Sequence, residues 1–229
     1  MILKICGITR VEDAEHAVAH GATAIGFICW TGSPRYVTPD RIAAIVSALP
    51  PAVTTVGVFV NEAIADVQAV VNRTGISVVQ LHGDERAKDA VALRVPVVRS
   101  MSLDNSATLS DEWPDDTTFL LDAADPVQRG GTGRTVDWGM AARVAARRRV
   151  ILAGGLTPSN VAEAVTLVRP WGVDVSSGVE ASPGVKSPDA VAAFLAHARA
   201  AFERVGRGSR SSPGGTDADR VPLDPARNP

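Results

Sequence analysis

Ile2-Leu3-Lys4-Ile5-Cys6-Gly7-Ile8-Thr9 reads as a short strand, a break and the approach to a helix. Ile2–Ile5 is apolar enough for a buried strand, and Gly7 interrupts it. Thr9 stands where an N-cap is expected, ahead of Glu12, Asp13, Ala14 and Val18. Cys6 therefore falls at the carboxyl end of a strand. Side chains alternate along a strand, so Lys4 and Cys6 share one face while Leu3 and Ile5 share the other. Taken alone, the stretch allows a structural cysteine beside a snorkelling lysine, or a reactive group at the mouth of an α/β barrel.

Working outward, the same strand-then-helix unit recurs along the chain. Strands are expected at Ile2–Ile5, Ala24–Ile28, Thr54–Phe59, Ser77–Leu81, Val95–Arg99, Thr117–Leu121, Val150–Ala153 and Gly172–Val175. Helical patterns lie between and after them at Val11–His20, Pro39–Leu49, Ile64–Thr74, Glu85–Leu93, Trp138–Ala146, Pro158–Val168 and Pro188–Val205. A short polar helix is expected at Asp104–Glu112. Strict alternation implies a parallel sheet with helical crossovers. Eight units fit a closed (β/α)8 TIM barrel better than a doubly wound sheet, and the 229 residues approach the usual barrel length of about 250. The expected organisation is one barrel domain over residues 1–205 and a disordered tail over 206–229, where Gly206-Arg-Gly-Ser-Arg-Ser-Ser-Pro-Gly-Gly-Thr offers nothing to bury.

The formal net charge of −2 gives no basic field for nucleic acid. No apolar run approaches about 18 residues and no signal-peptide pattern is present, so a soluble cytoplasmic protein is expected. Cys6 and Cys29, the only cysteines, make no disulfide framework. Glu12, His16 and His20 recur four apart on one helix, but that helix faces outward, so they read as surface residues and no metal is expected.

In a closed barrel the inward and outward faces alternate along every strand. That rule brings Cys6, His82, Asp122, Asp174 and Ser176 to the carboxyl ends of the strands, with Gln80 on the same face as His82. Closure makes the first and eighth strands neighbours, so Lys4 is expected to pair with Asp174. Gly154-Gly155 after strand seven and Ser176-Ser177-Gly178 after strand eight occupy the usual phosphate position of this fold, which predicts a phosphorylated small-molecule substrate. Arg35 follows strand two and can pair with a substrate carboxylate or simply be exposed. Gly130-Gly131-Thr132-Gly133-Arg134 reads either as a flexible loop or as a mobile cover.

The combination resembles phosphoribosylanthranilate isomerase. The matching motifs are Lys4-Ile-Cys-Gly-Ile-Thr, Ser33-Pro-Arg-Tyr, Gly57-Val-Phe-Val-Asn61, Val79-Gln-Leu-His-Gly83, Leu120-Leu-Asp122, Gly130-Gly-Thr-Gly, Gly154-Gly-Leu and Asp174-Val-Ser-Ser-Gly-Val-Glu180. They run in order from about Leu3 to Lys186. The resemblance implies an aldose–ketose isomerase of tryptophan biosynthesis. Its substrate would be N-(5-phosphoribosyl)anthranilate and its product 1-(2-carboxyphenylamino)-1-deoxyribulose 5-phosphate, with no cofactor. Within it, Cys6 matches the general base, Asp122 the general acid and Arg35 the group that holds the anthranilate carboxylate. His82 and Asp174 are placed on the substrate, with Gly154, Gly155, Ser176, Ser177 and Gly178 on the phosphate. Cys29-Trp30-Thr31-Gly32 departs from relatives, which often carry bulkier or basic residues there.

These roles require Asp122 to stay protonated and Cys6 to keep some thiolate character. The competing readings are another phosphosugar isomerase or epimerase barrel, and a non-catalytic sugar-phosphate binder. The expected state is a monomer, with a homodimer as the alternative.

Overall fold

The computed structural model describes residues 1–103, 112–122 and 137–210. The loop expected at Gly130–Arg134, nearly all of the short polar helix expected at Asp104–Glu112, and residues 211–229 lie outside that range.

Eight parallel strands close into a barrel in sequential order: β1 Ile2–Ile5, β2 Ala24–Ile28, β3 Thr54–Phe59, β4 Val78–Leu81, β5 Val97–Ser102, β6 Thr118–Asp122, β7 Val150–Leu152 and β8 Gly172–Val175. Seven α-helices are present among the described residues: α1 Val11–Ala19, α2 Pro39–Ala48, α3 Ile64–Thr74, α4 Ala87–Ala90, α5 Trp138–Ala145, α6 Val161–Val168 and α7 Pro188–Arg210. The expected α/β single-domain barrel is the fold. Closure is made by β1 on β8, in a register that sets Lys4 opposite Asp174.

The alternation of faces organises the core. Ile2, Ala24, Val56, Val78, Val98, Leu120, Ile151 and Ala153 form one apolar cluster inside the barrel. Their strand neighbours Leu3, Ile5, Ile25, Phe27, Val79, Leu81, Phe119, Leu121 and Val173 point outward and pack with buried helix residues such as Ile42, Val67, Val165 and Phe194. Each such side chain, fully buried, contributes about 1.5–3 kcal/mol. The floor of the barrel is thus dry, and only residues further along each strand are free to be polar.

Local chemistry sets several element ends. Thr38 accepts from the Arg41 N–H at 3.4 Å and Pro39 occupies the first turn, which starts α2. Asp137 accepts from Gly139 and Met140 N–H at 2.9 and 3.0 Å to start α5. Thr9 does not cap α1, contrary to the sequence reading. Arg10 is the N-cap, and the Thr9 hydroxyl instead donates to the Gly184 carbonyl at 2.5 Å.

Other boundaries move for identifiable reasons. β5 begins after Pro96 and runs on to Ser102, past the Arg99 end expected, because Ser100 and Ser102, which look like loop residues, belong to the polar part of the barrel. α4 is only four residues long, since Glu85 is engaged elsewhere: its carboxylate accepts from the N–H groups of Asn61 (2.7 Å) and Gly83 (2.8 Å) and from Arg99 (2.9 Å). α6 starts at Val161 instead of Pro158, because Asn160 closes the preceding turn, accepting from Thr157 N–H at 2.8 Å and donating to the Gly155 carbonyl at 2.9 Å. α7 continues to Arg210, five residues beyond the Val205 end expected from composition.

One element was not foreseen. After β8, a single 3-10 turn at Ser177–Val179 leads into an antiparallel hairpin, β9 Glu180–Ser182 and β10 Val185–Lys186. It brings a carboxylate and an amine back over the barrel mouth.

Candidate active site

Above the dry floor lies a polar bridge. Lys4 is 2 % exposed, and its ammonium donates to Asp174 Oδ2 at 3.0 Å and to Gln80 Oε1 at 3.1 Å. The expected Lys4–Asp174 pair is therefore formed, and Gln80 joins it from three strands away. Gln80 Nε2 lies 3.0 Å from His82 Nδ1, and His82 Nε2 lies 3.4 Å from Ser100 Oγ and 3.7 Å from Asp122 Oδ2. An ammonium has only donors, so the Gln80 oxygen must face Lys4 and its amide must donate to His82. His82 Nδ1 is then the acceptor, and its proton sits on Nε2, toward Asp122. The bridge Asp174–Lys4–Gln80–His82–Asp122 spans the barrel.

Cys6 lies immediately above Lys4, its N–H bonded to the Val175 carbonyl at 2.8 Å. A Cβ placed on Gly26 would come 2.8 Å from Cys6 Sγ and 3.1 Å from Lys4 Nζ, so the missing side chain on β2 makes room for both. Burial pushes the Cys6 thiol above its ordinary pKa; Lys4 opposes that shift and Asp174 adds to it. Burial thus works against the thiolate character that the general-base role requires, and Lys4 works for it. Burial alone would lower Lys4, yet Asp174 and the Cys6 sulfur more than offset it and hold the ammonium above its usual value.

Asp122 ends β6 and lines a small cavity with Ala153, Gly154, Gly155, Leu156, Asp174, Val175, Ser176, Ser177 and Gly178. The sequence-predicted acid, Asp174 and all five phosphate-loop residues thus share one concavity. Asp174 Oδ1 is buried there without a hydrogen-bond partner among the described residues. The two loops touch closely: a Cβ on Gly178 would sit 1.9 Å from the Leu156 carbonyl oxygen. Gly178→Ala is accordingly expected to force the loops apart and raise KM about tenfold or more with a smaller change in kcat, measured by steady-state kinetics.

Arg35 sits over Gly7, whose φ of +72° and whose spacing, with a built Cβ 2.8 Å from Arg35 Cδ and from Ser176 Oγ, leave room only for glycine. The guanidinium does not stand free. Nε and Nη2 both bond Glu180, at 2.8 Å each, and Lys186 Nζ reaches the same carboxylate at 2.9 Å and the Ser176 carbonyl at 3.1 Å. Burial disfavours the charged Glu180, but the Arg35 fork and Lys186 hold its carboxyl below the usual range. Burial lowers Lys186, and a carboxylate shared with Arg35 does not fully offset that.

Sequence reasoning missed Gln80, Glu180 and Lys186 as site residues. Gln80 carried a signal: a buried polar residue on the face of His82 needs partners. Glu180 stands at the end of a matching motif, but nothing in the sequence brought it or Lys186 to Arg35, because the hairpin that returns them is invisible to strand periodicity.

A second cavity of about 150 Å³ is lined by Cys29, Tyr36, Val37, Pro39, Phe59, Glu62, Asp66, Val67 and Val70. It is larger but holds neither Cys6 nor Asp122. His16 and His20 are occupied by backbone carbonyls, of Pro188 and His16, at 3.0 and 2.9 Å. Among the described residues there is no helix long and apolar enough to cross a membrane.

A closed (β/α)8 barrel with a thiol, a carboxyl and two glycine-bearing loops at the carboxyl ends of its strands defines a class, the single-domain barrel enzymes. The family model described as N-(5'phosphoribosyl)anthranilate (PRA) isomerase matches residues 3–197. The N-(5'-phosphoribosyl)anthranilate isomerase of Pelobacter propionicus is 44 % identical over 194 residues, covering 84 % of this chain and 93 % of that protein. A crystal structure of phosphoribosyl anthranilate isomerase with reduced 1-(o-carboxyphenylamino)-1-deoxyribulose 5-phosphate superposes with a TM-score of 0.77 at 36 % identity, over 87 % of this chain and 100 % of that one. Monomers generated from the dimeric enzyme of Thermotoga maritima give a TM-score of 0.78 at 35 % identity, over the same 87 % and 100 %. The chain belongs to the N-(5'-phosphoribosyl)anthranilate isomerase family. Its activity is the isomerase activity of that family, a step of tryptophan biosynthesis.

Proposed function

We propose that Cys6 and Asp122 are the general base and general acid by which the chain turns N-(5-phosphoribosyl)anthranilate into 1-(2-carboxyphenylamino)-1-deoxyribulose 5-phosphate. The observation that supports this most is the polar bridge Lys4–Gln80–His82, which links a thiol at the end of β1 to a carboxyl at the end of β6. Acid and base must reach different atoms of one sugar, and this spacing across the mouth suits that need.

The chemistry follows from those positions. The Asp122 carboxyl protonates the furanose ring oxygen, the C1′–O bond breaks, and the nitrogen lone pair forms an iminium. The cation acidifies the C2′ proton, which Cys6 removes as thiolate. Protonation of the resulting enolamine at C1′ and loss of the C2′ hydroxyl proton give the ketone. Because the resting thiol is protonated, the thiolate must form in the complex, where the iminium adds its charge to that of Lys4. Gly154, Gly155, Ser176, Ser177 and Gly178 hold the phosphate, Arg35 the anthranilate carboxylate, and His82 and Asp174 the sugar hydroxyls.

The direct test is the loss of phosphoribosylanthranilate fluorescence on adding the protein; a fluorescence trace matching the no-enzyme control overturns the reading. Asp122→Asn is expected to lower kcat about 100-fold with KM changed little. The effect is the smaller of the two catalytic ones, because the nitrogen lone pair assists ring opening without the acid.

The protein acts as a monomer in the cytoplasm. Large exposed apolar side chains among the described residues, Met1, Tyr36, Val91, Met140 and Leu167, are scattered along the chain. A dimer mass by sedimentation overturns this.

A further inference from the structure

Arg35 has two hydrogen-bonding edges, and the fold spends only one. The side edge, Nε with Nη2, is forked onto Glu180, while Nη1 makes no hydrogen bond among the described residues. The end edge, Nη1 with the second proton of Nη2, therefore remains for a second carboxylate in bidentate geometry. The side chain crosses Gly7, immediately after Cys6, which puts Arg35 on the Cys6 side of the mouth.

Charge sets what that ligand must be. Arg35, Lys186 and Glu180 sum to one positive charge, and all three are drawn out of water: their side chains are 15, 1 and 5 % exposed. A monoanion brings the cluster to neutrality, whereas a neutral ring leaves a partly buried charge uncompensated. Without Lys186, two carboxylates would compete for one guanidinium. Without Glu180, nothing forks the Arg35 side edge, and its long side chain regains the freedom that pre-organisation removed.

We propose that Glu180 is the positioning residue for Arg35, and that the Arg35–Glu180–Lys186 cluster makes the enzyme specific for a substrate whose arylamine bears one carboxylate. This rests on Arg35 being the carboxylate anchor. Glu180 touches no reacting atom; it acts through Arg35. Its place on the β9–β10 hairpin makes that hairpin part of the specificity apparatus.

The test uses two probes with the full chain: reduced 1-(2-carboxyphenylamino)-1-deoxyribulose 5-phosphate, and the phenylamino compound that lacks only the carboxylate, each titrated by calorimetry. Glu180→Gln is expected to weaken the carboxylated probe about tenfold and leave the phenylamino probe unchanged, while KM rises more than kcat falls. Glu180→Asp restores part of the loss. Lys186→Met, which leaves the Arg35–Glu180 fork in place, is expected to weaken the carboxylated probe selectively as well. Inorganic phosphate binding reports that each variant keeps a folded site, and if Glu180→Gln fails it, Lys186→Met decides. Equal weakening of both probes, or of neither, overturns the proposal. Arg35→Ala separates the two layers. If it does not discriminate between the probes, the anchor itself is misassigned; if it does and the Glu180 and Lys186 variants do not, only the positioning role falls.

Discussion

Cys6→Ser lowers kcat by about 1,000-fold or more while KM moves less than severalfold. The exchange nearly conserves shape beside Lys4 and Gly26, so the barrel should stay folded, with an unfolding midpoint close to wild type. What changes is basicity: an alcohol is a far weaker acid than a thiol, and the oxyanion required to take the C2′ proton is out of reach at neutral pH. The wild-type pH profile carries the same information. Burial holds the thiol above its ordinary pKa, so the proton is on sulfur at neutrality and the thiolate fraction grows about tenfold per pH unit below that pKa. The base-limited rate therefore rises with pH through the neutral and mildly alkaline range, and Cys6→Ser abolishes that rise. Turnover near wild type in the serine variant would remove Cys6 from the mechanism.

Lys4→Met destabilises the protein by about 3–5 kcal/mol, because it leaves the Asp174 carboxylate buried with Oδ2 stripped of its partner and Oδ1 already without one among the described residues. Denaturant unfolding measures this, and a loss below about 1 kcal/mol, the range of exposed pairs, would show that the bridge is not structural. The sign of the pH dependence follows from the raised lysine pKa. The stabilisation is fully present below the pKa of the unfolded chain and is lost only as pH rises through the higher folded value, so neutral pH is well inside the stable range. Activity falls too. Lys4 is the charge that opposes the burial of Cys6, so removing it moves the ascending limb of the pH profile to more alkaline pH. A Lys4→Met enzyme with an unmoved limb would confine Lys4 to a structural role.

The eightfold alternation was readable because each strand and helix obeys a local rule: outward strand residues and inward helix residues are apolar at periods of two and about 3.6. The same rule placed Cys6, His82, Asp122 and Asp174 on the inner face, since register in a closed barrel cannot slip without turning that face outward. Lys4 opposite Asp174 followed from closure alone. Boundaries were less readable where a side chain outbid the helix for its own backbone, as Glu85 and Asn160 do, or where polar residues such as Ser100 and Ser102 line a barrel and imitate a loop.

Ile2-Leu3-Lys4-Ile5-Cys6-Gly7-Ile8-Thr9 thus determined by itself a strand end with a lysine and a cysteine on the inner face, and the glycine that turns the chain away from them. Only the tertiary structure decided what surrounds that pair. Gln80 reaches Lys4 from across the barrel, Gly26 vacates the space both side chains need, and a hairpin 170 residues and more downstream folds Glu180 and Lys186 back onto Arg35. The protonation of Cys6 belongs to this second group, since it depends on how completely the pocket excludes water and on which charges face the sulfur, and neither is a property of neighbours in sequence.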